Sequence, residues 1–448
     1  MRAWLTNLIE TLRSSFWFVP ALLTLTTVLL SFATIAVDSA VRDRLLRHIP
    51  LIWIGGIEGA RQLLSTIAGS MITVAGVVFS ITIVVLALAS SQLGPRLLRK
   101  FTGNRGNQLV LGTFISTFIY SVLVLRATRD SAQTFVPYIS VTLAILLALL
   151  SVAVLIYFIH HVSEMIQAPT VIAMVAAELD AKIDELFPER PEDKSSENAP
   201  AENLDSYGKR VLAWRSGYVQ FIDDEGLVEI AAKNDLLLRL HCRPGHFVIE
   251  GEALLTLGPA ERAGEKPLQS IHRSIILGSE RTITQDLEFA ISQLVEVAVR
   301  ALSPGINDPF TALSSIDWLA AALCKLAKRP MPRYRRFDVD HKLRLITDPL
   351  TFGNCLNAAF DQIIHYGQNN FAVVVRLLDV IEMIAEHARR DADRQVLLDQ
   401  ATKIEDTTKK SLRPSERRAV AERFSAVRNR LGTLGREQFL RSSVFSEG

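Results

Sequence analysis

The chain of 448 residues combines 49% hydrophobic with 21% charged residues, and its mean hydropathy is +0.24. Its 49 Lys and Arg against 47 Asp and Glu leave a formal net charge of +2, which gives no electrostatic reason to expect a nucleic-acid partner. Cys242, Cys324 and Cys355 lack the spacing of zinc or dithiol sites. No metal or cofactor is predicted, and we interpret the cysteines as buried free thiols in a reducing compartment.

Apolar residues concentrate before residue 165, in four runs that contain no Asp, Glu, Lys, Arg or His. A hydrocarbon core about 30 Å thick needs roughly 20 helical residues to cross it. The runs predict a transmembrane domain over residues 1–165, with spans at about 16–37, 66–92, 108–125 and 135–159. The lipid bilayer is therefore an expected partner.

The first run follows Arg13, ends before Asp38 and has small residues near its end, as a secretory signal does. However, the apolar region of a signal spans only about 7 to 15 residues, so we interpret this run as a retained anchor. The loop arginines and lysines divide equally between the two sides of the membrane, and the positive-inside rule does not decide the orientation. The free cysteines and the large charged region after the last span favour cytoplasmic termini.

The second span places small and hydroxyl residues along one helical face. These residues are Thr66, Ser70, Thr73, Gly76, Ser80, Ala87 and Ser91. The opposite face carries aliphatic residues suited to lipid, among them Ile72, Val78 and Val85. Such a face has two interpretations: close helix packing through small residues, or the lining of a water-filled path in a homo-oligomer. The lack of charge within the spans argues against a proton-coupled transporter.

Polar residues after the fourth span do not make a convincing site. His160, His161 and Glu164 lack the further ligands that a closed metal site needs, so we interpret them as polar residues at the membrane surface. Residues 166–204 are predicted as a juxtamembrane helix, the end of a helical pattern over 163–186, followed by a polar linker.

Residues 205–262 change to an apolar period of two, in short runs such as GYVQFID and GLVEIAAK. This pattern predicts a small β-barrel or sandwich. The segment RPGHFVIEGEALLTL resembles the turn and strand of biotinyl/lipoyl-type barrels. The attachment lysine is absent, so the resemblance implies only the fold.

Residues 263–448 predict a bundle of five or six helices. Thr282 is a candidate cap for the first of them. Asn307, Asp308 and Pro309 form a candidate structural or functional turn, with Asp308 as N-cap and Pro309 in the first helical turn. Arg376 lies in an apolar stretch and is expected to pair with Asp379 or another acid. The predicted fold class is mainly α, with an N-terminal four-helix transmembrane bundle followed by a soluble α+β region.

Catalytic signatures are absent from the sequence: there is no Walker loop, no dinucleotide-binding glycine pattern, no nucleophile elbow and no zinc-protease motif. We therefore predict that the chain is not an enzyme.

Several long segments carry a family resemblance. SFWFVPALL, GSMITVAGVVFSITIVVLALASSQLGPRLLRKF, RGNQLVLGTFISTFIYSVLVLR and RTITQDLEFAISQLVEVAVRALSPGINDPFTA resemble the bacterial membrane-protein family catalogued as domain of unknown function 2254. The resemblance covers nearly the whole chain. It implies a bacterial inner-membrane location and no particular activity.

Three functional hypotheses remain from the sequence; the third, a membrane enzyme, has the least support, because no nucleophile, metal set or phosphate loop is visible. The first is a homo-oligomeric, channel-like permeation protein whose path is lined by the Thr66 to Ser91 face. The second is a membrane-anchored regulatory or scaffolding protein whose cytosolic domain binds a ligand or partner. The sequence does not choose between the first two.

Overall fold

The structure is a computed structural model. It describes residues 17–40, 56–94, 105–128, 135–165, 167–189, 204 and 208–444. The start of the first predicted span, most of the polar linker and several of the loop arginines that enter the orientation argument lie outside these residues. The chain divides into two compact units, residues 1–170 and 171–448, and each unit is described by itself.

Four apolar helices make up the described part of the first unit. They are α1 (Phe18–Ala40), α2 (Ile57–Leu93), α3 (Arg105–Ala127) and α4 (Tyr138–Met165). Each overlaps one predicted span and is long and apolar enough to cross a membrane. A helix satisfies its own backbone hydrogen bonds, as a segment in lipid must. Helix α2 has 37 residues and is therefore about 55 Å long, more than a bilayer core requires.

Helix α3 contacts each of the other three spans. At Gly112 the backbones approach closely, because a Cβ there would lie 3.1 Å from Pro20 Cα on α1 and 2.7 Å from Leu23 Cδ1. Tyr120 Oη lies 3.0 Å from Thr34 Oγ1 on α1, and Thr117 Oγ1 lies 3.2 Å from Ser151 Oγ on α4. Small and hydroxyl-bearing residues of α3 thus hold it against α1 and α4 within the chain.

Helix α2 packs against α3 and α4 through its aliphatic side. Val78 and Val85 are buried in a cluster with Phe114 of α3 and Phe158 of α4. The prediction that these two valines face lipid is therefore wrong. Ile72, which was assigned to the same face, is exposed. The part of the aliphatic surface that faces α3 is buried by packing between the two helices.

The predicted continuous helix over 163–186 is wrong. Helix α4 ends at Met165, and α5 (Ala168–Leu186) begins three residues later. Pro169 lies in the first turn of α5, where its missing N–H is tolerated, but it cannot continue the hydrogen-bond ladder of a preceding helix. The apolar side of α5, including Val175 and Leu179, is buried.

Eight strands in the second unit form two sheets. The five-stranded sheet has the order β1-β5-β3-β8-β7, and the three-stranded sheet has the order β4-β2-β6. The β3–β8 pair is parallel, whereas the other pairs are antiparallel. The strands are β1 (Lys209–Leu212), β2 (Gly217–Ile222), β3 (Leu237–Leu240), β4 (Phe247–Val248), β5 (Ala253–Gly258), β6 (Ile275–Gly278), β7 (Arg335–Phe337) and β8 (Leu343–Ile346).

The β region differs from its prediction in two respects. The run GLVEIAAK belongs to a helix, α6 (Asp224–Lys233), because Asp223 caps its N-terminus and Leu227 and Ala231 are buried one turn apart. Strands β7 and β8 come from the far side of two long helices and complete the larger sheet. The two sheets do not show the predicted barrel.

A second short helix, α7 (Glu265–Ser274), leads directly into β6. Six longer helices then form the described bundle: α8 (Leu287–Ala301), α9 (Pro309–Lys328), α10 (Phe352–Gly367), α11 (Phe371–Ala385), α12 (Asp391–Thr408) and α13 (Pro414–Val444). Asp286 caps α8 by accepting a hydrogen bond from Phe289 N–H, so the prediction of Thr282 as the cap is wrong.

The count of four membrane-length helices is not exact. Helix α9 is a fifth described helix that is long and apolar enough to cross a membrane. It contacts α8 and α11, and Lys325 near its end pairs with Asp180 and Asp184 of α5 at 2.8 Å. Its apolar surface is used for packing within the second unit, and we assign it to the bundle.

Candidate functional site

The predicted face of α2 lies on the surface of the single chain. All seven of its residues, Thr66, Ser70, Thr73, Gly76, Ser80, Ala87 and Ser91, are exposed. The residues of α2 that pack inside the unit, such as Leu64, Met71 and Val78, lie on the opposite side of the helix by the helical repeat. We call the exposed face the α2 stripe.

Hydroxyl groups along the α2 stripe bond to their own helix. Thr66 Oγ1 donates to Gln62 O, Thr73 Oγ1 to Gly69 O and Ser80 Oγ to Gly76 O, at distances of 2.8 to 2.9 Å. A hydroxyl that donates in this way keeps its oxygen lone pairs as acceptors. The stripe can therefore accept hydrogen bonds or coordinate cations.

The glycines on this side of α2 are not used for packing within the described residues. A Cβ built at Gly69 or Gly76 would meet no atom within 4 Å. Gly112 on α3 differs, because a Cβ there would meet α1. Glycine is therefore used for packing between helices on α3, whereas the glycines of α2 remain open.

The α2 stripe is not polar along its whole length. Val77 and Val84 lie on the same side of the helix by the helical repeat and are 53% and 58% exposed. Val84 separates the hydroxyls of Thr73 and Ser80 from Ala87 and Ser91. An apolar position thus interrupts the polar surface.

The candidate turn at Asn307, Asp308 and Pro309 has a structural role. Asn307 adopts φ +49°, a left-handed conformation that asparagine tolerates better than most residues. The Asp308 carboxylate accepts from Thr311 N–H at 3.2 Å and from Thr311 Oγ1 at 2.6 Å, and Pro309 begins α9. The predicted N-cap and first-turn proline are confirmed.

The remaining polar candidates have ordinary partners. His160 and Glu164 form an exposed pair at 3.3 Å, and no metal-binding group of three or more His, Cys, Asp or Glu side chains occurs among the described residues. Arg376 pairs with Asp317 at 2.6 Å, not with Asp379, because the Asp379 carboxylate pairs with Arg423 on α13. The three cysteines are free and buried, as predicted.

A cavity of about 200 Å³ lies in the second unit, where the ends of β2, β3 and β8 meet the start of α8. We call it the Arg243 cavity. Its polar lining consists of Asp224, Arg243, Gln285, Asp286, Glu288, Arg333, Arg336, Thr347 and Asp348. Sequence reasoning missed this site, because its residues come from segments more than one hundred positions apart and no local motif joins them.

The turn that carries Arg243 is fixed by its neighbours. Gly245 adopts φ +93°, and a Cβ on it would overlap the Asp286 carboxylate. That carboxylate is held by Arg281 Nε at 2.7 Å and by Arg281 Nη2 at 2.8 Å. The close approach of Gly245 to Asp286 therefore places Arg243 beside the start of α8.

Comparison with known proteins agrees with the four apolar spans. The family model described as "Predicted membrane protein (DUF2254)" matches residues 13–383. Uncharacterized proteins of Mycobacterium bovis and Mycobacterium tuberculosis are each 33% identical over 398 residues, which cover 86% of this chain and 75% of theirs. No solved structure matches the chain. The chain is therefore a member of the DUF2254 family of membrane proteins.

Proposed function

We propose that the protein is a homo-oligomeric, channel-like permeation protein of the bacterial inner membrane, with its second unit in the cytoplasm. The α2 stripes of several copies face a shared path. The carrying observation is the exposure of the seven stripe residues on the side of α2 opposite its packing face.

Physical chemistry supports a partner for this stripe. Lipid tails make no hydrogen bonds, so hydroxyl-bearing surfaces in membranes favour other helices or water. The α3 helix meets this need inside the chain, where Tyr120 bonds Thr34 of α1 and Thr117 bonds Ser151 of α4. The α2 stripe has outward acceptors, which suit water and cations, while Val84 provides an apolar position of the kind that restricts wetting in channels.

The test is ion flux through the purified full chain in liposomes. We expect potassium flux that falls at least tenfold in a Thr73→Leu and Ser80→Leu double variant, because leucine removes the acceptors and narrows the path. Ile72→Leu is the matched control. Ile72 is exposed on α2 outside the stripe, so potassium flux through this variant should equal that of the wild type. Equal flux in the double variant and in the wild type would refute a path along the stripe.

A second candidate function, a membrane-anchored regulatory protein that binds a ligand through its second unit, is favoured by the Arg243 cavity. The cavity is concave and combines an apolar wall with converging polar groups, as small-molecule sites do. Binding of a small molecule to the full chain, abolished by a substitution in the cavity, would support this function. A full chain that transports ions and binds no ligand would count against it.

A further inference from the structure

The charges around the Arg243 cavity are balanced. Its lining includes three guanidinium groups, from Arg243, Arg333 and Arg336. Asp286 also lines the cavity, but its carboxylate is committed to Arg281 and to the α8 cap. Three carboxylates remain, from Asp224, Glu288 and Asp348. A ligand with charge of one sign would meet like charge on part of this wall.

The ion pairs of Arg243 are longer than the structural pair beside them. Arg243 Nη2 lies 3.2 Å from Glu288 Oε2, and Arg243 Nη1 lies 3.4 Å from Asp348 Oδ2. Charge-assisted bonds of this kind are shorter at about 2.7 to 2.9 Å, and Arg281 reaches that range with Asp286. Arg243 Nε is buried and has no hydrogen-bond partner among the described residues. Arg243 thus retains donor capacity for an additional acceptor.

The Asp224 carboxylate is a second group in the cavity that a ligand charge would stabilise. Burial raises the pKa of Asp224 above its ordinary value, although Arg336 lies 2.8 Å away and opposes the shift. A carboxylate in this state gains from a second positive group, because a nearby positive charge favours its ionised form.

The rest of the lining is apolar and suits an aliphatic body. It includes Phe187, Ile222, Leu240, Leu287 and Leu350. Burying an aliphatic side chain of leucine size against such a wall is favourable by about 1.5 to 3 kcal/mol. The volume of about 200 Å³ accommodates a molecule of amino-acid size.

We infer that the Arg243 cavity binds a small aliphatic zwitterion, such as a free amino acid, with its carboxylate on Arg243 and its ammonium group on the carboxylates of the same lining, Asp224 and Asp348 among them. Each charge of the ligand then meets the opposite charge, and the aliphatic body lies on the apolar wall. This inference rests on the second candidate function and specifies its ligand.

The experiment is isothermal titration of the full chain in nanodiscs with three probes: L-leucine, 3-methylbutylamine and 4-methylpentanoate. The amine and the acid each keep the aliphatic body and lose one charge. We expect leucine to bind at least tenfold more tightly than either analogue. Equal affinity for leucine and one analogue overturns the zwitterion inference but supports a ligand-binding second unit, whereas no binding of any probe overturns the inference and provides no support for the second candidate function.

Variants place the binding in the cavity. Asp348 has a side chain that is 56% exposed, so Asp348→Asn should fold normally and weaken leucine binding at least fivefold. Arg243→Gln should weaken it further. Arg273→Gln is the control, because Arg273 is exposed and does not line the cavity. Leucine affinity that is unchanged in both cavity variants overturns the assignment.

Discussion

The Asp38 carboxylate at the end of α1 caps the N-terminus of α4 through Ile139 and Ser140. It accepts from Ser140 N–H at 2.9 Å and from Ser140 Oγ at 2.6 Å, and its second oxygen accepts from Ile139 N–H at 2.9 Å. A buried helix N-terminus needs such acceptors, and a negative charge there also complements the helix dipole. Asp38 thus joins the first and fourth spans, 102 positions apart.

Removing this cap should loosen the first unit. We expect Asp38→Ala to destabilise it by about 1 to 2 kcal/mol, the usual cost of a lost N-cap, and Asp38→Asn to do less harm because its amide oxygen still accepts. Thermal unfolding of the full chain in detergent measures the effect. Ser39→Ala is the control, since the Ser39 hydroxyl donates to Ala36 O within α1 and to no other group among the described residues. Equal unfolding temperatures for Asp38→Ala and Ser39→Ala would contradict the cap.

Gly245 and Gly251 offer a matched test of the turn beside the cavity. Both have positive φ, +93° and +85°, so alanine at either position carries a conformational cost of about 1 kcal/mol. Only Gly245→Ala also drives a Cβ into the Asp286 carboxylate, because Gly251 has open space around it. We expect Gly245→Ala to be the more destabilising by about 1 to 3 kcal/mol, measured as the difference in denaturant midpoints. Equal losses would show that Asp286 yields freely.

Asp338 should make stability depend on pH. Burial opposes its ionisation, but hydrogen bonds from Arg344 and from the backbone N–H groups of Lys342 and Asp340 hold the pKa of Asp338 below its ordinary 3.8. Because the folded-state pKa is the lower one, this stabilisation is present above the ordinary value and is lost as pH falls through the folded-state pKa.

The measurement is the unfolding temperature of Asp338→Asn against the wild type from neutral to acid pH. We expect the variant to be less stable near pH 7 and the difference in unfolding temperature to narrow as the pH falls below 3.8. Asp340→Asn serves as the control, since the Asp340 side chain is exposed. A gap that stays constant with pH would refute the role of ionised Asp338.

The cysteines should be unreactive in the folded protein. Burial raises the pKa of Cys242 to about 12 and that of Cys324 to about 11, and it also raises the pKa of Cys355. Thiolate is the reactive form, so we expect maleimide at pH 8 to label none of the three until the chain is unfolded. An introduced exposed thiol, Ser279→Cys, controls for reagent activity. Rapid labelling of the native wild type would contradict this burial.

Local patterns were sufficient where one physical effect dominates. The four spans follow from uncharged runs of membrane length, and the Asp308 cap follows from the residue types beside Pro309. The GLVEIAAK run failed because its short apolar pattern fits a strand as well as a helix. Its choice of helix depends on the Asp223 cap and on the burial of Leu227 and Ala231.

Sequence alone was sufficient to locate the four membrane-length helices of the first unit. An uncharged segment prefers lipid to water and must satisfy its own backbone hydrogen bonds there, and neither effect depends on its neighbours. Tertiary structure alone decided which similar surfaces remain open. Gly112 on α3 and Gly76 on α2 have the same chemistry, yet only Gly112 meets another helix within the described chain. Tertiary structure also assembled the Arg243 cavity from distant segments, because the contacts that form it depend on three-dimensional packing and leave no periodic trace along the chain.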